Sequence, residues 1–328
     1  MSRSALRAGG LAAGLTGLAG CSGTQSVLDP AGVDAEVLAD LFWVLLAGAV
    51  VLWILLNGAF FYVTRMSARR HSQRVGEALI IGAGIAFPTI VLAVLLSYGL
   101  SIMPDQRAPG DGLTVRVTGE QWWWRVEYLP EDGEPVVSAN ELRLPVGART
   151  EIKLGAAKVI HSFWVPNLAG KMDMFPGRET RMAVEPTRTG EFRGQCAEFC
   201  GTSHALMAFS VVVMQPDDFA AWLESERADA AEPADASAAR GREVFLAEGC
   251  GACHTVRGTP AVGTLGPDLT HVGGRRTIAA GTLPATAEAF GQWLANTDHI
   301  KPDVRMPTYR DLAAQDLADL AQYLKGLP

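Results

Sequence analysis

Two long stretches without a charged residue, Leu41 to Thr64 and Ala78 to Met103, dominate the apolar pattern of the first third of the chain. Each exceeds the ~20 residues that a helix needs to cross a hydrocarbon core. The pattern therefore predicts two transmembrane helices, over about residues 38–64 and 77–103. Pro88 falls inside the second, where neighbouring helices can satisfy the carbonyl it frees. Arg65, Arg69, Arg70 and Arg74 crowd the stretch between the helices, whereas Asp29, Asp34, Glu36 and Asp40 precede the first. Positive connecting loops stay on the cytoplasmic side, so both termini are expected on the outer side.

A shorter apolar run precedes these helices. Arg3 and Arg7 are followed by a Gly/Ala/Leu-rich stretch ending in "LAGC", with Cys21 last. This run is too short to span a bilayer and resembles a bacterial lipoprotein signal, cleaved before a cysteine that is then lipidated. The reading is a signal over residues 1–20, lipidation at Cys21 and residence in a bacterial inner membrane; an uncleaved anchor is the alternative.

Beyond "PDQRAPGDG" the apolar pattern shortens to runs broken by Gly and Pro: "LTVRVTG", "WWWRVEYL", "ELRLPVG", "RTEIKLG", "RMAVEP" and "FSVVVMQP". Many short strands with turn signals predict an antiparallel β-sandwich or barrel, placed at residues 111–222. Next, "ESERADAAEPADASAA" is acidic, Ala-rich and poor in bulky apolar residues, the composition of a flexible linker, placed at 223–239. From about Arg240 the spacing turns helical and ends in "QDLADLAQYLKGL", predicting an all-α domain over 240–328. The order is thus signal, an N-terminal segment with a two-helix membrane hairpin to residue 110, β domain, linker and α domain.

Length and charge narrow the function classes. A chain of 328 residues has room for two or three domains with cores of their own. A net charge of −7 excludes a nucleic-acid binder, which needs a dense basic surface. Four of the five cysteines fall in two tight pairs, which is no disulfide framework, so each pair asks to be read as a cofactor site.

The first pair lies in "GQCAEFCGTSHALM", where Cys196, Cys200, His204 and Met207 bring two thiols, an imidazole and a thioether onto one loop. Soft sulfur with imidazole suits copper, and a mononuclear blue site needs only one cysteine. Two thiolates can bridge two coppers, each wanting a histidine; the candidate for the second is His161 in "VIHSFWVPNL". An exported Cys196–Cys200 disulfide is the competing reading. The second pair lies in "CGACH", the Cys-x-x-Cys-His pattern of covalent haem c attachment through Cys250 and Cys253, with His254 as an axial ligand. Met306 is the only methionine after it and the natural sixth ligand; His271 and His299 are the alternatives.

"HSFWVPNLAGKMDMFPGR" followed by "GQCAEFCGTSHALM" resembles the copper-A domain of cytochrome c oxidase subunit II over about residues 35 to 222, and the two membrane helices fit it. The α domain resembles a class I cytochrome c, including "GPDL" at 266–269. The resemblance implies a dinuclear copper A bridged by Cys196 and Cys200. His161 and His204 would be its terminal ligands, Met207 a weak ligand and the carbonyl of Glu198 another. The Glu198 side chain would reach a magnesium site shared with subunit I. Trp122, in "GEQWWWRVEY", matches the family's electron-accepting tryptophan and is expected at the surface over the copper site, with Trp123 and Trp124 packed. The family's second-helix glutamate has no clear counterpart, because Glu77 stands eleven residues before Pro88 and the usual aromatic residue between them is missing.

The expected function is an oxidase electron-transfer subunit, with subunits I and III as partners and a cytochrome c or quinol-oxidising complex as donor. Oxygen chemistry belongs to the partner, and the haem domain is expected to swing on its linker. Competing readings are a copper-delivery protein, which predicts a thioredoxin-like pattern and one anchor, and the electron-input subunit of a copper-A nitric oxide reductase.

Overall fold

The computed structural model describes residues 21–66 and 72–328. The signal read over 1–20, and Arg69 and Arg70, lie outside the described residues. Residues Val37–Ala108 form one compact unit and residues up to Glu36, with Pro109–Pro328, a second.

The first unit is built by helices α1 (Val33–Met66) and α2 (Gln73–Gln106), each 34 residues and apolar enough to cross a membrane. They extend several residues past the predicted apolar stretches at each end, because polar flanks can continue the hydrogen-bond ladder outside the hydrocarbon. Their apolar side chains, among them Trp53, Leu56, Ile81 and Leu92, are exposed, as a lipid-facing helix requires. Pro88 follows a stretch of wider π-type turns, Ile80–Ala86, in which a helix takes up a disturbance to its ladder.

The second unit contains the β domain and the α domain. Ten strands make the first: β1 (Thr114–Gly119), β2 (Trp124–Leu129), β3 (Val136–Ala139), β4 (Glu141–Pro145), β5 (Thr150–Ala156), β6 (His161–Trp164), β7 (Met172–Met174), β8 (Thr180–Val184), β9 (Gly190–Cys196) and β10 (Ala208–Met214). They form two five-stranded sheets, ordered β3-β2-β1-β5-β8 and β4-β10-β9-β6-β7. Strict alternation in β1 and β2 sends Val115, Val117, Trp124, Val126 and Tyr128 inward. The sandwich is not wholly antiparallel as expected: β1 runs parallel to β5 and β4 parallel to β10. Strands β2 to β4 separate β1 from β5, and a connection that long can return a strand in the same direction. Trp124, Phe163 and Phe209 meet at the centre, with ring centroids 5.0 to 6.1 Å apart.

Residues 21–36 belong to this same unit and strap the β domain. Ala31 N donates to Asn167 O (2.6 Å), Val33 N to Glu185 O (3.0 Å), Thr187 N to Ala31 O (2.8 Å) and Arg193 N to Thr24 O (2.8 Å). Gly32 sits so close to Leu168 that a side chain there would meet its carbonyl.

The α domain packs α4 (Ala236–Ala247) across α7 (Ala314–Lys325), with α5 (Ala287–Ala295) and the short α6 (Thr297–Ile300) beside them. Gly241 permits the crossing, since a Cβ there would collide with the Asp319 carbonyl. Asp319 in turn accepts from Arg240 Nε at 2.8 Å and from Ser237. Phe245, Phe290, Leu320 and Leu324 fill the core.

The stretch read as a flexible linker is helical at both ends: α3 (Pro216–Arg227) precedes it and α4 takes over at Ala236. The residues between are held down, with Arg257 donating to Glu226 O (2.5 Å) and Ala230 N to Arg257 O (3.0 Å). The swinging haem domain expected from composition is therefore replaced by a docked one. Arg276 N donates to Glu141 Oε2 (2.6 Å), Ser210 Oγ meets Thr277 Oγ1 (3.0 Å) and Arg276 pairs with Glu191 (2.7 Å) across the seam. Composition registered the acidity of the stretch but not the Arg257 guanidinium that bonds its Glu226 and Ala228 carbonyls.

Candidate functional site

β6 and β9 pair side by side, Phe163 opposite Cys196, which brings the start of one strand to the end of the other. His161 opens β6 and Cys196 closes β9; the loop to β10 then supplies Cys200, His204 and Met207. The register makes neighbours of His161 and Cys196, 35 residues apart. The ring of His161 reaches the strand pair because Gly119 lies under it: a Cβ at Gly119 would come within 2.7 Å of His161 Cδ2.

The two thiols sit at the centre, 3.7 Å apart, and both are free. His161 Nδ1 lies 3.7 Å from Cys196 Sγ, and His204 Nδ1 lies 3.5 Å from Cys200 Sγ. Met207 Sδ is 3.8 Å from Cys200 Sγ, and the Glu198 carbonyl is 3.1 Å from Cys196 Sγ. Each sulfur thus has one imidazole and one weaker donor of its own. His161, Cys196, Cys200 and Met207 are all buried, whereas the Glu198 side chain is exposed. The hydrogen bond from the Cys200 thiol, with the His161 ring and backbone groups, holds the Cys196 thiol below its usual range. Cys200 is pushed up by that same hydrogen bond and by burial. Two buried cysteine sulfurs with imidazole and thioether around them are a donor set that fits copper, and the two-fold arrangement fits a pair of ions.

The second site is a cavity of about 260 Å³. Gly249, with φ of 72°, turns the chain out of α4 and presents Cys250, Cys253 and His254 to it. His254 Nδ1 lies 2.7 Å from the Pro267 carbonyl, which fixes that nitrogen as the donor and leaves Nε2 free as a metal ligand. Gly266 is needed beside the ring, since a Cβ there would lie 2.5 Å from His254 Cε1. Met306 is also in the lining. His271 has its ring nitrogens 2.6 and 3.0 Å from the carbonyls of Pro328 and Ala228, and His299 is exposed; neither lines the cavity. Burial lowers His254, keeping the neutral imidazole that iron ligation requires. Two thiols, a free imidazole nitrogen and a thioether around an apolar cavity fit a covalently held haem.

Between the two sites stands Trp122. It lines the cavity, and its indole Nε1 donates to the Cys200 carbonyl at 3.0 Å, beside Gln121 Nε2 at 3.1 Å. The surface position expected for Trp122 is wrong: only 6% of it is exposed, because the α domain covers it. Trp124 is packed as expected, while Trp123 is half-buried, with Arg125 stacked over its ring. Sequence reasoning missed Lys301, whose Nζ donates to the Trp122 carbonyl at 2.6 Å and to that of Ala279 at 3.1 Å. Its burial pulls it down to about 7. A lone lysine in a polar loop carries no sequence signal for such a role.

Fold and sites together define a membrane-anchored electron-transfer protein, with a cupredoxin-like domain and a cytochrome c domain on one pair of helices. Residues 131–214 match the family described as cytochrome c oxidase subunit II, periplasmic domain, and residues 238–328 match cytochrome c. These matches point to copper A and haem c as the cofactors. Cytochrome c oxidase subunit 2 of Alkalihalophilus pseudofirmus is 32% identical, covering 94% of this chain and 93% of that one. The subunit 2 of Bacillus subtilis is 31% identical, covering 94% of each. The chain belongs to the cytochrome c oxidase subunit 2 family. A solved periplasmic domain of subunit II from Bradyrhizobium japonicum is 33% identical, with a TM-score of 0.32, and covers 37% of this chain and 96% of that one.

Proposed function

We propose that this chain relays electrons from an external donor through its α domain and then its β domain to an oxidase subunit I, where dioxygen is reduced to water. The carrying observation is Trp122, which lines the Cys250/Cys253 cavity on one side and hydrogen-bonds the Cys200 backbone on the other. In this reading haem c and dinuclear copper A supply reversible one-electron chemistry. Cys250 and Cys253 would hold the haem covalently, and His254 and Met306 would ligate its iron. His161, Cys196, Cys200 and His204, with Met207 and the Glu198 carbonyl, hold the copper pair. The chain's own residues set the rest: burial excludes water from the thiols, His254 is oriented by Pro267, and Trp122 joins the two sites.

The exposed Glu198 side chain is available for a magnesium ion at the subunit I boundary. Residues 21–36 and those from 109 onward share one compact unit, which supports a helical hairpin with both flanks on one side; in this reading that side is the outer face of the bacterial inner membrane, as the positive loop between the helices suggests, with a lipid on Cys21. A subunit III, and a cytochrome c or quinol-oxidising complex as donor, complete the assembly.

The test is flash reduction of the purified oxidase complex with both optical signatures followed. Haem reduction preceding reduction of the copper pair is expected. Copper reduced first, with the haem following from it, would overturn the relay order.

A further inference from the structure

Part of the seam between the two domains lies on the loop that carries Cys200, His204 and Met207. Ser203 Oγ donates to the Pro302 carbonyl at 2.5 Å, and Thr202 hydrogen-bonds Asp303. At the far end of the loop, Ala208 N donates to the Ala280 carbonyl at 3.0 Å. Ala279 and Ala280 are both left-handed, with φ of 52° and 57°, a conformation that alanine rarely adopts. The turn they form aims the Ala280 carbonyl at Ala208 and the Ala279 carbonyl at Lys301.

Lys301 ties these contacts together. Its side chain is only 2% exposed, and two of its three N–H donors are spent on the carbonyls of Trp122 and Ala279, one in each domain. A buried ammonium costs free energy unless it is well bonded, so its position is a commitment to this one docked arrangement. Lys301 also lies five residues before Met306, on the segment that lines the cavity. The residue Lys301 grips is the one whose indole bonds the Cys200 carbonyl.

We infer that Lys301 is a positioning residue for electron transfer: it latches the Met306 segment onto Trp122 and so fixes the spacing between the cavity and the thiol pair. This rests on the relay reading. In that relay one electron would pass from a group held in the cavity to metals held by Cys196 and Cys200, the donor oxidised by one and the acceptor reduced by one.

The experiment compares Lys301→Met and Lys301→Arg with the wild-type chain in the assembled complex, using three readouts: hydrogen exchange at the Ala208 amide, the haem-to-copper transfer rate after flash reduction, and both static spectra. Lys301→Met should speed exchange at Ala208 and slow transfer severalfold with both spectra unchanged, since losing the bond to the Trp122 carbonyl frees the Met306 segment to move away from Trp122. Lys301→Arg should recover much of the rate. Asp303→Gly removes a rim contact of the same latch without touching the buried lysine, and should move both kinetic readouts the same way, more weakly; it decides the matter if Lys301→Met fails to fold. Unchanged exchange in the variants overturns the latch, and faster exchange with unchanged transfer overturns the positioning role. A wild-type complex with no haem-to-copper transfer sinks the relay reading instead, and is told apart because the exchange readout needs neither cofactor.

Discussion

At the scale of single residues, His161 shows what a sequence can and cannot hold. The requirement for one imidazole per metal pointed to it, and resemblance to a family supplied the pairing. Only the β6–β9 register explains how a residue 35 positions upstream comes to lie 3.7 Å from Cys196 Sγ. His161→Ala should abolish the mixed-valence copper absorption and paramagnetic signal while leaving the haem spectrum intact, because the cavity around Cys250 draws on other residues. A copper signal that survives the change would remove His161 from the ligand set. Trp122 was legible as an important residue but not as a buried one, since nothing in "GEQWWWRVEY" tells of a second domain lying over it. Lys301 was invisible for the same reason: burial by a neighbouring domain leaves no local pattern.

Elements were legible in proportion to their regularity. The alternation of "LTVRVTG" and "WRVEYL" gave β1 and β2, and "QDLADLAQYLKGL" gave α7 by its helical spacing. β6 and β7, four and three residues long, are too short for a period to register, and β9 reads as "GEFRGQC", whose glycines hide its strand character. The crossing of α4 and α7 depends on Asp319, held down at about 2 by Arg240 first and by Ser237 next, against its ordinary 3.8. A carboxyl lowered on folding contributes stability that is full above its unfolded pKa and is lost as pH falls through the folded one. The α domain should therefore lose stability between about pH 4 and pH 2. Asp319→Asn should lower the stability at pH 7 and flatten that acid limb, as read by denaturant titration of the haem Soret band. An unaltered limb would assign the acid sensitivity to other carboxylates.

For the whole molecule, the strap at residues 21–36 has a consequence for biosynthesis. Its hydrogen-bond partners, Asn167, Glu185, Thr187 and Arg193, are made only after both membrane helices. The residues before the first membrane helix must therefore wait for the chain from β6 to β9, and closing so long a loop is slow. Thr24 rests on Arg193, three positions before Cys196, so the part of β9 that β6 leaves unpaired is covered only once the N-terminal residues have returned to it. A chain begun at residue 109 would forgo these four bonds and should be less stable by on the order of 2–4 kcal/mol, checked by urea unfolding with and without residues 21–36 restored through a flexible connection. Equal midpoints would show the strap to be a passive passenger. If the difference is found, metal insertion becomes an event that membrane integration schedules: a chain whose hairpin has not been threaded through the bilayer offers the metal an unfinished vessel.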